Sequence, residues 1–432
     1  MVSMVRLGDV CIKIGSGATP RGGSDVYLSH GIALIRSQNI YNDGFRMDGL
    51  AFIGDDHATQ LANVEVQAGD VLLNITGDSV ARTCRAPSTV LPARVNQHVA
   101  IIRPDPNVLD PSYLHYHLIS PAKQAVLLSL AGGGATRNAL TKGMIEDFEV
   151  PAPSLDEQRA IAAILGALDD KIEQNRRTVQ ALERLARAIF RAWFVDFEPV
   201  KAKVAGATAF SSMPQPAFDA LPARFVDSAI GPVPEGWAVK PIATIATFLN
   251  GLALQKYPPR GDRDDLPVIK IAELRKGSAE GADWANGDVP EQYVVNDRDL
   301  LFSWSGTLEV EFWFGGKGAL NQHLFKVTSS HFPNWFCFLW IRQHLPWFRA
   351  IAASKATTMG HIKRGHLQET QVVVPPDEFI READGLIGSI YDLYAQLMIE
   401  SLKLAKMRDL LLPKLLSGEV RVRVDGGAKS GV

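Results

Sequence analysis

Cysteine is scarce and scattered. Three thiols, Cys11, Cys84 and Cys337, stand among 432 residues, with no CxxC pair and no Cys/His cluster. That spacing excludes a disulfide framework and a zinc site of the usual kind. Charge of one sign is lacking too: 45 Lys and Arg face 47 Asp and Glu, a formal net charge of −2. The chain is therefore no freestanding polycation, and any nucleic-acid role needs local basic patches or basic partners. Long apolar runs are missing. The most apolar late stretch, Trp335 to Ile341, is far shorter than the ~20 residues of a membrane span. Met1 to Ile14 carries Arg6, Asp9 and Lys13 and lacks a signal-peptide apolar segment. A soluble, cytoplasmic chain with no membrane partner is expected.

Catalytic signatures are also missing. No GxxxxGK[ST] occurs, Gly315-Gly316-Lys317-Gly318 being too short, and there is no GxSxG, HExxH or EF-hand loop. Gly132-Gly133-Gly134 has no preceding strand and reads as a loop. His115 and His117, two apart in a helical pattern, point to different faces and cannot share a metal as helical ligands do. Asp55-Asp56, Asp169-Asp170 and Asp264-Asp265 are adjacent pairs that nothing arranges as an acid/base couple. These absences point to a binding protein with no catalytic residue, metal or cofactor of its own.

What is present is duplication. Asn96-Gln97-His98 recurs as Asn321-Gln322-His323, an offset of 225 (321 − 96). Gly69 to Gly77 is echoed by Arg298 to Gly306, an offset of 229 (306 − 77), and Lys142 to Ile145 by Arg364 to Leu367, an offset of 222 (365 − 143). A hydrophobic content of 46% marks a globular chain, and the length calls for roughly two to four domains.

Residues 5–150 alternate short apolar runs with Gly, Asp, Asn and Pro. Leu34-Ile35, Val71 to Ile75 and Val99 to Ile102 read as strands, and Tyr113 to Leu130 as a helix. Val150-Pro151-Ala152-Pro153 breaks this pattern. Ser154 with Glu157 then forms a capping box. Behind it Ile161, Leu165, Leu168, Ile172, Asn175, Val179, Leu182, Ala186, Ile189 and Trp193 recur at heptad spacing, the mark of a coiled-coil seam with one polar position. Such a helix is about 55–60 Å long. Residues 198–236 are rich in Pro, Ala and Ser and read as a linker.

The second half repeats the order, with strands at Val268 to Ile271, Leu300 to Trp304 and Leu324 to Val327 and a helix from Asn334 to Ala353. A second long helix runs from Asp377 to Leu416. Its seam reads Leu386, Ile390, Leu393, Leu397, Glu400, Leu404, Met407 and Leu411, and Ser417-Gly418 ends it. The expected class is α+β: two similar mixed heads and two long helices packed as an antiparallel coiled coil, a pseudo-twofold repeat.

Polar clusters recur at matching places in both heads. In the first they include Arg21, Arg36, Gln38, Asn39, Thr76, Arg82, Arg94, Asn96, Gln97, Arg137 and Asn138. In the second they include Gln255, Lys256, Arg260, Lys270, Ser303, Ser305, Asn321, Gln322, Thr358, Lys363 and Arg364. Arg and Lys pair with guanine or phosphate, Asn and Gln bidentately with adenine, and Ser and Thr with either. These are therefore candidate DNA-binding residues. An alternative for the Asn-Gln-His triplets is that their amides close a turn before a strand. The alternative for the whole chain is a two-headed coiled-coil scaffold that binds protein without DNA specificity.

At this point the chain resembles the specificity subunit of type I restriction–modification systems. The resemblance rests on Leu7-Gly8-Asp9-Val10 with Gly15 to Pro20, Glu157-Gln158-Arg159-Ala160-Ile161, Leu168 to Glu173, Trp193-Phe194-Val195-Asp196-Phe197, Gly231 to Trp237, and Leu410 to Glu419. The second head departs from it. Ser303 to Phe314 is unusually aromatic, and Pro375-Pro376-Asp377-Glu378-Phe379 replaces the Glu-Gln-Arg helix start.

The resemblance implies two target-recognition domains, 1–153 and 237–376. It implies a central helix 154–197, a linker 198–236, a distal helix 377–420 and a tail 421–432. It further implies a non-catalytic subunit whose heads each read half of a bipartite double-stranded DNA target, the helices setting the spacer. The implied partners are two modification (methyltransferase) subunits and motor-nuclease restriction subunits. S-adenosylmethionine, ATP and magnesium would sit on those partners.

Overall fold

Short β-branched runs bounded by Gly, Asp and Pro form strands in both halves. They assemble in the same order twice. The computed structural model describes residues 3–133, 138–354 and 360–422. It divides into two units, Met1–Ile172 with Lys403–Val432, and Glu173–Leu402.

In the first unit an antiparallel sheet runs Cys11–Ser16, Val99–Pro104, Val71–Asn74, Thr83–Arg85. A second sheet runs Ala51–Ile53, Ile32–Ile35, Ala93–Val95, Glu65–Val66, its middle pair parallel. Ser3–Arg6 pairs with Glu149–Ala152 and ties the head's two ends together. Strand periodicity explains the unbroken apolar runs. Val71 and Leu73 enter one core and Leu72 another, as do Ala100 and Ile102 against Ile101.

The second unit repeats this plan strand for strand. One sheet runs Thr247–Asn250, Leu324–Thr328, Leu300–Ser303, Val310–Phe312. The other runs Trp284–Ala285, Leu266–Ile269, Gly318–Leu320, Val294–Val295, again with a parallel middle pair. Ala238–Pro241 pairs with Gln371–Val374. The segment 198–236 is more ordered than a linker rich in Pro and Ala suggests. It forms helices Glu198–Val204 and Gln215–Asp219 and sends Val200, Ala217 and Phe218 into the core of the second unit.

The central helix spans Leu155–Phe190 and continues through a wide turn, Arg191–Val195, closed by Asp196 N–H on Arg191 O at 2.8 Å. Glu157 N–H donates to Ser154 Oγ at 3.3 Å, the expected cap. Gln158 is fully buried. It accepts from Asp110 N–H at 2.8 Å and donates to Val108 O and Pro153 O at 3.0 and 2.9 Å, latching the helix start to the head. The second head has Phe379 at the comparable helix start. It is 1% exposed and packs on Trp193, Phe194 and Trp237.

The distal helix is Asp377–Ala383, a wide turn at Asp384–Gly388, and Ser389–Ser417. Asn175 Nδ2 donates to Glu400 Oε2 at 2.7 Å in the second unit, and Arg408 donates to Asp169 at 2.8 Å in the first. Within the second unit Asn175 meets Glu400 while Trp193 meets Phe379, so the two helices run antiparallel there. Leu165, Asn175, Val179 and Ile189 are buried, and Leu168, Ile172 and Leu182 half-buried, along the expected central stripe.

The distal stripe departs from heptad expectation. Ile390 is buried and Leu397, Leu404 and Leu411 are half-buried, but Leu393 and Met407 are 42% and 51% exposed. The inward positions are Ala383, Ile387, Tyr391, Ala395, Leu412 and Leu415. The apolar surface is broad enough to fit two phases, and the wide turn at Asp384–Gly388 offsets the helix.

The helix expected over Tyr113 to Leu130 is two, Pro111–Ile119 and Pro121–Gly132. Ser120, at φ −60° and ψ 141°, is pushed off helical geometry by the proline that follows. His115 and His117 lie in the first of these, both buried. Burial, with Arg85 and Arg408 adding to it, holds His115 down to about 3. Burial and Lys123 hold His117 down to about 4. In an unfolded chain both would charge near 6.5, so their contribution to stability is complete above pH 6.5 and lost as pH falls toward 4 and then 3. Denaturant unfolding of the first unit should weaken below pH 6.5 by up to about 1.4 kcal/mol per pH unit per histidine. A flat profile from pH 7 to 5 would contradict it.

Candidate nucleic-acid interface

The duplicated triplets sit at one structural position in the two heads. Asn96 N–H donates to Ile35 O at 3.0 Å, and Asn321 N–H to Ile269 O at 3.1 Å. Each Asn side chain accepts from the following His N–H at 3.2 Å. Both asparagines are 7% exposed, so they close the turn rather than face outward. The histidine of each triplet is held from both sides. His98 Nδ1 lies 2.7 Å from Thr76 Oγ1 and its Nε2 3.0 Å from Gln97 Nε2. His323 Nδ1 lies 2.8 Å from Ser305 Oγ and its Nε2 3.4 Å from Gln322 Nε2. Each imidazole is thus fixed between an amide and a hydroxyl. In the first head Thr19 Oγ1 also donates to Gln97 Oε1.

Close packing supports the turn. An added Cβ at Gly17 would lie 2.0 Å from Val95 O, and one at Gly251 2.2 Å from Asn321 O.

Several candidates turn inward and serve the scaffold. Asn39 is fully buried, accepting from Arg36 N–H at 3.0 Å and donating to Arg46 O at 2.9 Å. Arg94 is 8% exposed and spends its guanidinium on Ala58 O, Ala93 O and Glu65. Ser303 donates to Thr307 O and accepts from Glu309 N–H, both at 2.7 Å. Ser305 is buried against His323.

Others remain at the surface. Arg21, Gln38, Gln97, Asn138, Gln255, Lys256, Arg260, Lys363 and Arg364 are exposed, and Arg36, Thr76, Arg82, Lys270 and Gln322 half-exposed. Arg260 pairs with Asp288 and Lys270 with Asp283. Arg137 and Thr358 lie outside the described residues.

Two further features shape these surfaces. Arginines are stiffened by tyrosine faces, Arg36 over Tyr27 at 5.2 Å and both Arg46 and Arg82 over Tyr41 at 5.1 and 4.7 Å. Such stacking presents a guanidinium edge at low entropic cost. In the second head half-buried Trp304 donates to Asn250 Oδ1 at 2.8 Å and Gln322 O at 3.0 Å, and packs on His323 and His361. Its position corresponds to Ile75 in the duplication, 229 residues earlier (304 − 75), and only the aromatic bias of Ser303 to Phe314 hinted at it.

The three thiols are poor nucleophiles, since burial raises Cys11, Cys84 and Cys337 to about 12. Among the described residues no cluster of three His, Cys, Asp or Glu could hold a metal. Nor is any helix among them long and apolar enough to cross a membrane.

Two heads of one topology, each presenting the same amide–imidazole–hydroxyl relay amid different neighbours, define a two-headed recognition protein. The chain belongs to the type I restriction modification DNA specificity domain family, whose profile matches residues 2–184 and 234–403. It is similar to the type I restriction enzyme MjaIX specificity subunit of Methanocaldococcus jannaschii, 26% identical over 358 residues covering 80% of this chain and 78% of that one. It is also similar to the HindI specificity subunit of Haemophilus influenzae, 23% identical over 371 residues covering 76% and 81%. The fold matches the crystal structure of the type I restriction–modification S subunit from M. genitalium, with a TM-score of 0.57 and 14% identity over 96% of this chain and 95% of that one.

Proposed function

We propose that this chain is the DNA-specificity subunit of a type I restriction–modification complex, each head reading one half of a bipartite target. Residues 1–153 and 237–376 are the recognition domains, joined through 198–236. The helices 154–197 and 377–420 set the unread spacer, and 421–432 is a tail. The chain recognises and does not catalyse. Two modification subunits would carry S-adenosylmethionine, and motor-nuclease subunits would use ATP and magnesium, in the cytoplasm.

The observation that carries this reading is the repetition of one polar relay on two heads whose surrounding side chains differ. Equivalent scaffolds suit equivalent partners, and unequal neighbours suit unequal half-sites. Base and phosphate contacts fall to the exposed and half-exposed set, Arg21, Arg36, Gln38, Thr76, Arg82, Gln97 and Asn138 with Gln255, Lys256, Arg260, Lys270, Gln322, Lys363 and Arg364. Asn39, Arg94, Asn96, Ser303, Ser305 and Asn321 shape the loops beneath them.

Mobility-shift titrations of the complex should show binding that weakens steeply and log-linearly with salt, as counterions return to the phosphates. The near-neutral net charge leaves partners to supply part of that neutralisation. Affinity indifferent to salt would instead favour a protein-binding scaffold.

A further inference from the structure

The shared register identifies which positions of the two heads correspond. Ile35 and Ile269 each accept from the triplet asparagine, at 3.0 and 3.1 Å, and each ends a strand in parallel pairing with the strand before that asparagine. The residues that follow are therefore equivalent, with an offset of 234 (269 − 35). Arg36 corresponds to Lys270, Ser37 to Ile271 and Gln38 to Ala272. Both cation positions start a short helical turn and donate their backbone N–H to the side chain three residues on, Arg36 to Asn39 Oδ1 and Lys270 to Glu273 Oε2, each at 3.0 Å. The local frame is thus the same, and the chemistry carried on it is not. A polar pair in the first head is an apolar pair in the second.

In the second head Ile271 and Ala272 line a recess of about 300 Å³ together with Gln255, Lys270, Gln322 and His323. Ala272 is exposed and Ile271 half-exposed, so an apolar patch stands open beside the amide and the cation. In the first head Gln38 is exposed and donates once, to Gly49 O at 3.0 Å. Among the described residues its second N–H and Oε1 meet no partner, which leaves both for a bidentate contact.

Among base edges in the major groove, the one apolar group is the C5 methyl of thymine, and the partner that suits a carboxamide in two bonds is adenine. We propose that Ser37-Gln38 and Ile271-Ala272 are equivalent specificity-determining positions. The first reads an adenine through the Gln38 amide, and the second reads a thymine through its methyl group. The assignment rests on the DNA-recognition reading above and specifies which bases it concerns.

The test uses the complete complex. Methylation mapping of DNA from cells carrying the system first defines the target of the parent chain. Duplexes of that target are then made with deoxyuridine replacing thymine, one position at a time, in the half read by the second head. One such replacement should weaken binding about fourfold, the effect of losing one buried methyl. The double variant Ile271→Ser, Ala272→Gln should lose that sensitivity and change preference at that one position, with the other half-site and the spacer unaltered. Ile271 also packs on the core beneath it, so Ala272→Gln alone, at an exposed site, serves as the second variant and should shift the same position.

Deoxyuridine tolerated at every thymine of that half would overturn the proposal. So would an unchanged second half-site in both variants, or a change in the first half-site. A parent chain with no bipartite target would instead remove the DNA reading itself, which is a separate and recognisable outcome.

Discussion

Gly17→Ala should open the strands of the first head, and Gly251→Ala those of the second. The added Cβ at Gly17 would sit 2.0 Å from Val95 O and 2.4 Å from Asn96 O, and at Gly251 2.2 Å from Asn321 O and 2.6 Å from Leu320 O. Val95 and Leu320 end strands paired on both sides, and Asn96 and Asn321 follow them directly, so these backbone atoms cannot withdraw as a flexible side chain would. The glycines are held against them by their own bonds, Gly17 N–H to Val99 O at 2.9 Å and Gly251 N–H to Leu324 O at 3.0 Å. A clash with backbone belongs at the upper end of the overpacking range, about 3 kcal/mol, a large share of the ~5–15 kcal/mol that holds a domain together. Hydrogen exchange should show opening confined to the strands of the altered head, with full-target binding lost. Gly365→Ala, where nothing lies within 4 Å of the added Cβ, is the matched control and should change stability by no more than about 0.5 kcal/mol. Parent-like exchange in both glycine variants would contradict the packing account.

Adding one heptad to each long helix should lengthen the preferred spacer and leave both half-sites as they are. The insertions belong between Ile172 and Asn175 and between Glu400 and Leu404. They then fall between the cross-helix contacts Asn175–Glu400 and Asp169–Arg408 and preserve both. Seven residues add about 10 Å of helix, close to the rise of three base pairs, and a heptad nearly conserves the phase of the seam. Inserting in one helix alone would pull those partners out of register and strand the buried amide of Asn175, so that variant should be unstable rather than altered in spacing. An unchanged spacer in the paired insertion would mean the helices do not measure it.

Much of this fold was legible in the order of residues, because it rests on periodicity and repetition. The offsets near 225 mark strands that do pair identically, and Ser154 with Glu157 marks a helix start that forms where expected. The stripe from Ile161 to Trp193 is buried or half-buried at every position because its apolar positions are narrow and regularly spaced. The distal stripe was misphased at Leu393 and Met407 since neighbours such as Tyr391, Tyr394 and Ala395 are equally apolar, and no heptad count chooses between them.

The candidate site was less legible for a different reason. A polar residue type says nothing about which way it points. Asn39, Arg94 and Ser303 have the chemistry of base readers and are spent on carbonyls and amides of their own loops. The equivalence of Gln38 with Ala272 was hidden because it depends on strand register rather than on likeness.

The most direct measurement is a footprint of the complete complex on its methylated target at moderate salt. Two short protected tracts, separated by a gap whose sequence can be changed freely but whose length cannot, is the predicted result. One continuous tract, or protection that follows no sequence, would contradict the account of two heads reading two half-sites.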